Sequence, residues 1–528
     1  MIGNLTEDQL KESLAGHGWK VASALRGLGL SCSGHNKRVM RRIRDQFFTP
    51  SDHVVFDNKI KEINRHKRFV ISCAINDCDY DKKFLDSLKG YCSYNRSLLL
   101  LQPLKYRNPS SPFEMNSSSN FPKELSTYYV NTKVKFNKNV YFIGDVNVQA
   151  TSVNPIASLN SCVPYNASSI VAHPQIQLRM RSSPKDIFPR LITTTGTISK
   201  NLFLNSKNRT SVSKLDYLAQ KNHSTGALVL EILKNKFFIR HVVAEKDGSF
   251  YDLDKKYLPN GNVVKGVRAS GLVCGDLHTR FIDSSVLKST FTNTDSIVNV
   301  LKPKNLIIHD FFDSNSISHH DEGKRLTQYK KYITKDNILL NELNDSVSFH
   351  NRYFNLKDTR IVYVPSNHND HLHRWLQNGF PDVFNLRAFC LLNLQILDEI
   401  DNDGKLQKEP FFIYLKNNIK TENDVIFLSR DSSYLISGVD VSQHGDIGPN
   451  GVRGSIRSFT AIDRPMVIGH SHIPAIDKGV YQVGTSCKLT LPYNAGTSGW
   501  MHCHCVIYPS GKRSLLFVVK GDWFLKGH

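Results

Sequence analysis

No apolar run in this chain is long enough to cross a bilayer. The longest aliphatic stretch is Leu98 to Leu101, against the ~20 residues a membrane helix needs. The opening "MIGNLTEDQL" has neither the basic start nor the apolar core of an export signal, so a cytoplasmic protein is expected. Ten cysteines are present, yet no C-x-x-C pair and no regular spacing links them. That excludes a disulfide framework and a thiolate zinc ribbon, and it points to reduced thiols. "HCHC" at 502–505 is no exception: on a strand, His502 and His504 face away from Cys503 and Cys505, so four ligands cannot converge on one metal. There is no internal repeat and no P-loop. Acidic residues are scarce beside basic ones, 47 against 68, which leaves a net charge of +21 spread along the chain. A polyanionic partner fits that excess, nucleic acid ahead of a membrane surface, although many basic proteins bind nothing acidic.

What is present is enough for several cores. A chain of 528 residues with 40% hydrophobic and 10% aromatic content exceeds one ordinary domain and suits an α/β multidomain protein. Residues 1–50 read as three short helices. Thr6 with Gln9 forms a capping pair in "TEDQLKESLAG", "WKVASALRGLGL" is a second helix, and "SGHNKRVMRRIRDQF" is a third. The tight "GLGLSCSG" connection and three-helix order resemble a helix-turn-helix. Lys37, Arg38, Arg41, Arg42 and Arg44 then give the last helix a basic face for DNA, or merely a solvated one, with Val39, Met40, Ile43 and Phe47 on its buried side.

Residues 51–68 read as a charged linker, and 69–265 as an α/β middle domain of unassigned role. "RFVISCAINDCDYDKKFLDSLKGYCSYNRSLLLLQPL" reads strand, helix, strand, and a parallel unit is expected. "NPSSPFEMNSSSNFP" is an exposed loop. Further strands are expected at "NVYFIGDVNVQ", "LITTTGTIS", "HSTGALVLEIL" and "KFFIRHVVAE". Turns at "GDVN" and "TTTG" can approach phosphate, but single-glycine turns are far more often structural.

In residues 266–528 the polar clusters stop being scattered. Five occur at the ends of apolar runs: "GDLH" (Asp276, His278), "LIIHDFFD" (Asp310, Asp313), "IVYVPSNHND" (Asn367, His368), "VDVSQHGD" (His444) and "MVIGHSH" (His470, His472). Strand carboxyl ends gather on one edge of an α/β sheet, so five such ends can meet at one site. Carboxylate, amide oxygen and imidazole together suit borderline divalent ions such as Mn²⁺, Fe²⁺ or Zn²⁺. Two such ions sharing an anionic ligand polarise a phosphoryl oxygen and acidify a water.

This order of motifs resembles the calcineurin-like metallophosphoesterase superfamily over about the last half of the chain. The resemblance implies a β-sandwich flanked by helices and a centre of two divalent metals, with Mn²⁺ the first choice and Fe²⁺, Zn²⁺ or Mg²⁺ the alternatives. By motif position it makes Asp276, His278 and His472 ligands of the first metal, Asp310 the bridge, and Asn367, His444 and His470 ligands of the second. His368 takes the role of protonating the leaving oxygen or steadying the transition state. The chain departs from the pattern where His309 precedes Asp310 and where Asn369 follows His368, which leaves Asp370 to orient His368. His319 and His320, and Asn450 with Arg453 in a Gly-rich loop, are candidates for binding phosphate or for shaping their loops.

The whole chain resembles tailed-phage early proteins of the first-step-transfer type, linked to breakdown of host DNA. A DNase hydrolysing phosphodiesters in the host cytoplasm is the function this implies, with DNA as partner. A phosphatase of phosphoproteins or small esters, and a DNA-binding or assembly protein with a vestigial metal site, are the alternatives. The number of subunits stays open, a homo-oligomer included.

Overall fold

The computed structural model describes residues 5–16, 21–46, 60–75, 78–104, 121–157, 159, 162–184, 190–200, 214–321, 323–379, 381–491 and 494–526. The chain is mixed α/β, with several sheets and helices. At the N-terminus, helices Glu7–Gly16, Val21–Gly27 and Gly34–Gln46 pack on a small core of Leu10, Ala24, Leu25, Met40 and Ile43. The first helix opens on the expected capping pair. Thr6 Oγ1 accepts from the Gln9 amide at 3.3 Å, and Gln9 Oε1 accepts from the Thr6 amide at 2.9 Å. Of the basic residues, Lys37 is half-buried and Arg38 exposed, whereas the side chains of Arg41, Arg42 and Arg44 and all of Phe47 lie outside the description. So do residues 51–59 of the linker and nearly all of the Ser/Asn/Pro-rich loop.

The strand–helix–strand reading of the middle region matches the structure. Strands Arg68–Ile75 and Leu98–Leu104 pair in parallel, Phe69 opposite Leu98, around the helix Lys82–Asn95. Strands Gly226–Leu233 and Lys236–Val243 complete a four-stranded sheet. Gly196 of "TTTG" has a structural duty, since its φ is +84° and an added Cβ would lie 3.0 Å from the Gly226 backbone.

Some pairings join residues on either side of the expected division at 265/266. In a ten-stranded sheet, strand Leu178–Arg181 pairs antiparallel with Ala475–Asp477, joining the middle of the chain to its C-terminal part. Buried Arg240 holds Glu231 at 3.0 Å and Asp252 at 2.6 Å. Glu231 also accepts from the Leu525 amide at 2.9 Å, so the last residues are tied to the four-stranded sheet. Hydrophobic periodicity could not reveal these pairings, because strand partners hundreds of residues apart leave no local trace.

A six-stranded sheet positions the site. Its strands Gly271–Val273, Asn305–Ile308, Arg360–Tyr363 and Val425–Phe427 are mutually parallel, and Cys503–Ile507 and Arg513–Phe517 add antiparallel. Side-chain alternation sorts its two faces. Val273, Ile307, Val362, Cys503 and Cys505 join Val439, Val467 and Tyr481 of the ten-stranded sheet in one buried core. Leu272, Leu306, Ile308, Ile361 and Tyr363 instead meet residues of the helices Leu339–Tyr353, Asn367–Asn378 and Pro410–Asn418. Cys503 and Cys505 thus pack in a core while His502 and His504 bond elsewhere, to the Cys487 carbonyl at 2.9 Å and the Gly275 amide at 2.9 Å. All ten cysteines are free.

Candidate metal centre

The carboxyl ends of the four parallel strands lie along one edge, and their loops carry Asp276 and His278, Asp310 and Asp313, Asn367 and His368, and Arg430. Strands Val439–Asp440 and Met466–Ile468, parallel to each other, lead into His444 and into His470 and His472. The fold therefore brings the five motifs to one place. Their backbone is unusual there. His278, Asp310, His470 and His472 all have positive φ, of 48°, 44°, 71° and 60°. For residues with a Cβ this costs roughly 1–2 kcal/mol each, a strain that persists where surrounding structure dictates it and that gathers at functional sites.

Ligating atoms of Asp276, His278, Asp310 and His472 all lie within 4.8 Å of one another, and all four residues are buried. His278 Nε2 is 3.0 Å from His472 Nε2, His472 Nε2 is 3.3 Å from Asp276 Oδ2, and His278 Nε2 is 3.6 Å from Asp310 Oδ2. Two ligands each about 2.1 Å from one ion stand roughly 3.0–3.4 Å apart. Two of the three spacings fall within that range and the third lies just beyond it, and the group could bind a metal ion. Asp310 Oδ2 also lies 3.1 Å from His444 Nε2, whose ring centroid is 5.2 Å from that of His470. Asp310 Oδ1 and Asn367 Oδ1 are buried and accept no hydrogen bond, an expensive state for oxygens with nothing to coordinate.

Electrostatics say the same. Burial raises the Asp276 carboxyl to about 7. For Asp310, burial also works upward, but His444, His368 and His278 outweigh it and hold the acid well below its usual range. Burial lowers His278 and His444, yet Asp313 and Asp310 respectively outweigh it and bring each to about 9. Buried carboxylates here demand positive charge, which protons on imidazole supply in the absence of a cation.

Asp313 was only one acid of a cluster in the sequence; in the structure it organises two histidines. Its Oδ1 lies 2.7 Å from His278 Nδ1, which turns His278 Nε2 toward the cluster. Its backbone carbonyl lies 2.6 Å from His368 Nδ1. A carbonyl can only accept, so His368 carries a proton on Nδ1 and presents Nε2. The expected orienting role of Asp370 is thereby corrected. Its Oδ2 instead pairs with Arg430 at 2.7 Å, and Arg430 reaches Asp446 at 2.8 Å. Arg430, which sequence reasoning missed, thus ties the His444 loop to the helix that begins at Asn367. It lies in a "SRDSSY" turn with no pattern to announce it.

His309, in the position that departs from the family pattern, is fully buried, with Nδ1 3.3 Å from His444 Nδ1. Gly469 of "IGHSH" cannot be larger, because a Cβ there would sit 2.3 Å from Asp276 Oδ1. Asn450 and Arg453 are exposed in the loop after His444. His319 and His320 lie in the turn His319–Asp321, beside His371 of the helix Asn367–Asn378.

Fold and site together define a mixed α/β protein with a buried carboxylate–imidazole cluster fit for a metal ion. The chain is similar to Protein A1 of Escherichia phage T5, 27% identical over 482 residues that span 88% of this chain and 84% of that protein. That relative supports a phage origin. No protein-family model matches the chain, and no solved structure matches it. Among the described residues no helix is long and apolar enough to cross a membrane.

Proposed function

We propose that the chain is a phage early protein whose centre hydrolyses DNA phosphodiesters with two divalent cations, Mn²⁺ first, in a calcineurin-like arrangement. One observation carries the reading. A single oxygen, Asp310 Oδ2, faces His278 Nε2 at 3.6 Å and His444 Nε2 at 3.1 Å, as a carboxylate shared between two ligand groups would. Asp276, His278 and His472 complete one group, and Asn367, His444 and His470 the other. Cations held there would supply a polarised phosphoryl oxygen and a water of lowered pKa. His368, fixed through Nδ1, exchanges a proton at Nε2 with the leaving oxygen. The net charge of +21 and the basic third helix favour DNA over a small ester, and in a phage setting the substrate is host DNA.

The test is incubation of metal-stripped protein with supercoiled, linear and single-stranded DNA, adding Mn²⁺, Mg²⁺ or Zn²⁺ in turn, with Asp310→Ala alongside. Metal-dependent loss of DNA by the wild type alone is expected. Intact DNA with hydrolysis of a generic phosphate ester would replace the nuclease with the phosphatase reading, while equal activity in folded Asp310→Ala would remove the site assignment.

A further inference from the structure

A second cluster of three histidines stands apart from the buried carboxylates. The rings of His319 and His320 have centroids 3.9 Å apart, and they lie 4.8 and 5.6 Å from that of His371. One nitrogen from each ring lies within 4.8 Å of the others. Three nitrogens about 2.1 Å from a tetrahedral ion sit roughly 3.4 Å apart, so small ring rotations close the set. Asp321, on the same turn, is engaged elsewhere, holding Lys331 at 2.7 Å and Lys324 at 3.5 Å. Among the described residues the donor set is three imidazoles, half-buried at His319 and His371 and exposed at His320.

We propose that His319, His320 and His371 form a separate site for a borderline transition-metal ion of the Zn²⁺ class. Three imidazoles suit Zn²⁺, Co²⁺, Ni²⁺ or Cu²⁺ and offer little to Mn²⁺ or Mg²⁺, which prefer oxygen. The two sites therefore differ in metal preference. The histidine site also has a mechanical consequence. His371 is one helical turn beyond His368, their ring centroids 5.5 Å apart, so an ion here staples the turn His319–Asp321 to the helix that carries His368. Three protein ligands leave a fourth position for water or a phosphate oxygen.

The experiment is equilibrium dialysis of the metal-stripped full chain against Zn²⁺ in excess Mn²⁺, with metal content measured for wild type, His371→Ala, His320→Ala and Asp310→Ala. The wild type and Asp310→Ala should each retain a Zn²⁺ equivalent that both histidine variants bind more than about a hundredfold more weakly, beyond the roughly 10–100-fold that loss of an outer-shell partner costs. Zn²⁺ should also raise the melting temperature of the wild type and not of the histidine variants. His320 is exposed, so His320→Ala folds and decides the matter should His371→Ala not. Zn²⁺ binding by folded His320→Ala equal to that of the wild type would overturn the site.

Discussion

At the scale of single residues, the proposed metal centre rests on groups that would not themselves touch a metal. Asp313 Oδ1 lies 2.7 Å from His278 Nδ1 and fixes which nitrogen faces the cluster. Asp313→Asn keeps an acceptor but loses the charge, and its backbone carbonyl still holds His368. Metal affinity should therefore fall about 10–100-fold with His368 undisturbed; unchanged metal content at limiting Mn²⁺ would show that Asp313 is not the orienting partner. Gly469 makes a steric claim instead. With a Cβ placed 2.3 Å from Asp276 Oδ1, Gly469→Ala must displace either the carboxylate or the His470–His472 loop. Loss of metal binding with a nearly unchanged melting temperature is the expected result, and calorimetry beside metal analysis reads both.

At the scale of elements, the chain showed its local order and hid its long-range pairing. The capping pair Thr6–Gln9, the parallel strands Arg68–Ile75 and Leu98–Leu104, and the polar ends of the strands near residues 276, 310 and 368 were legible because each is a short-range pattern. The junction of Leu178–Arg181 with Ala475–Asp477 was not, nor was Arg430 between Asp370 and Asp446, since both arise only when distant segments meet. A pH prediction follows from one such junction. His241, on the strand Lys236–Val243, is fully buried with Nε2 2.8 Å from the Thr194 carbonyl, and burial lowers it from 6.5 to about 4. The unfolded chain binds that proton below about 6.5 and the folded chain only below about 4. Between those values the unfolded state holds more protons, so stability is present above pH 6.5 and is lost as pH falls, by up to about 1.4 kcal/mol per pH unit. His241→Gln should flatten urea-unfolding stability over pH 6.5 to 4 relative to wild type; an identical pH slope would mean that His241 titrates normally in the fold.

At the scale of the whole molecule, charge and architecture meet in the N-terminal head. Its third helix buries Met40 and Ile43 against Leu10, Ala24 and Leu25, which leaves Arg38 exposed and Lys37 half-buried on the outer side. If that face lies on DNA, each phosphate it neutralises releases counterions, and log affinity falls with log salt by about 0.9 per contact. Replacing both residues by glutamate spares the head's core, so the fold should persist. The salt slope of DNA binding should drop by about 1–2, with affinity lowered uniformly across sequences. On the proposed function, hydrolysis of a small phosphodiester should stay at the wild-type rate, because neither Lys37 nor Arg38 belongs to the candidate metal cluster. Binding titrations at several salt concentrations, run beside a small-diester assay, separate the outcomes. A wild-type salt slope in the double variant would remove this face from DNA binding and leave the net charge of +21 to act through the rest of the chain.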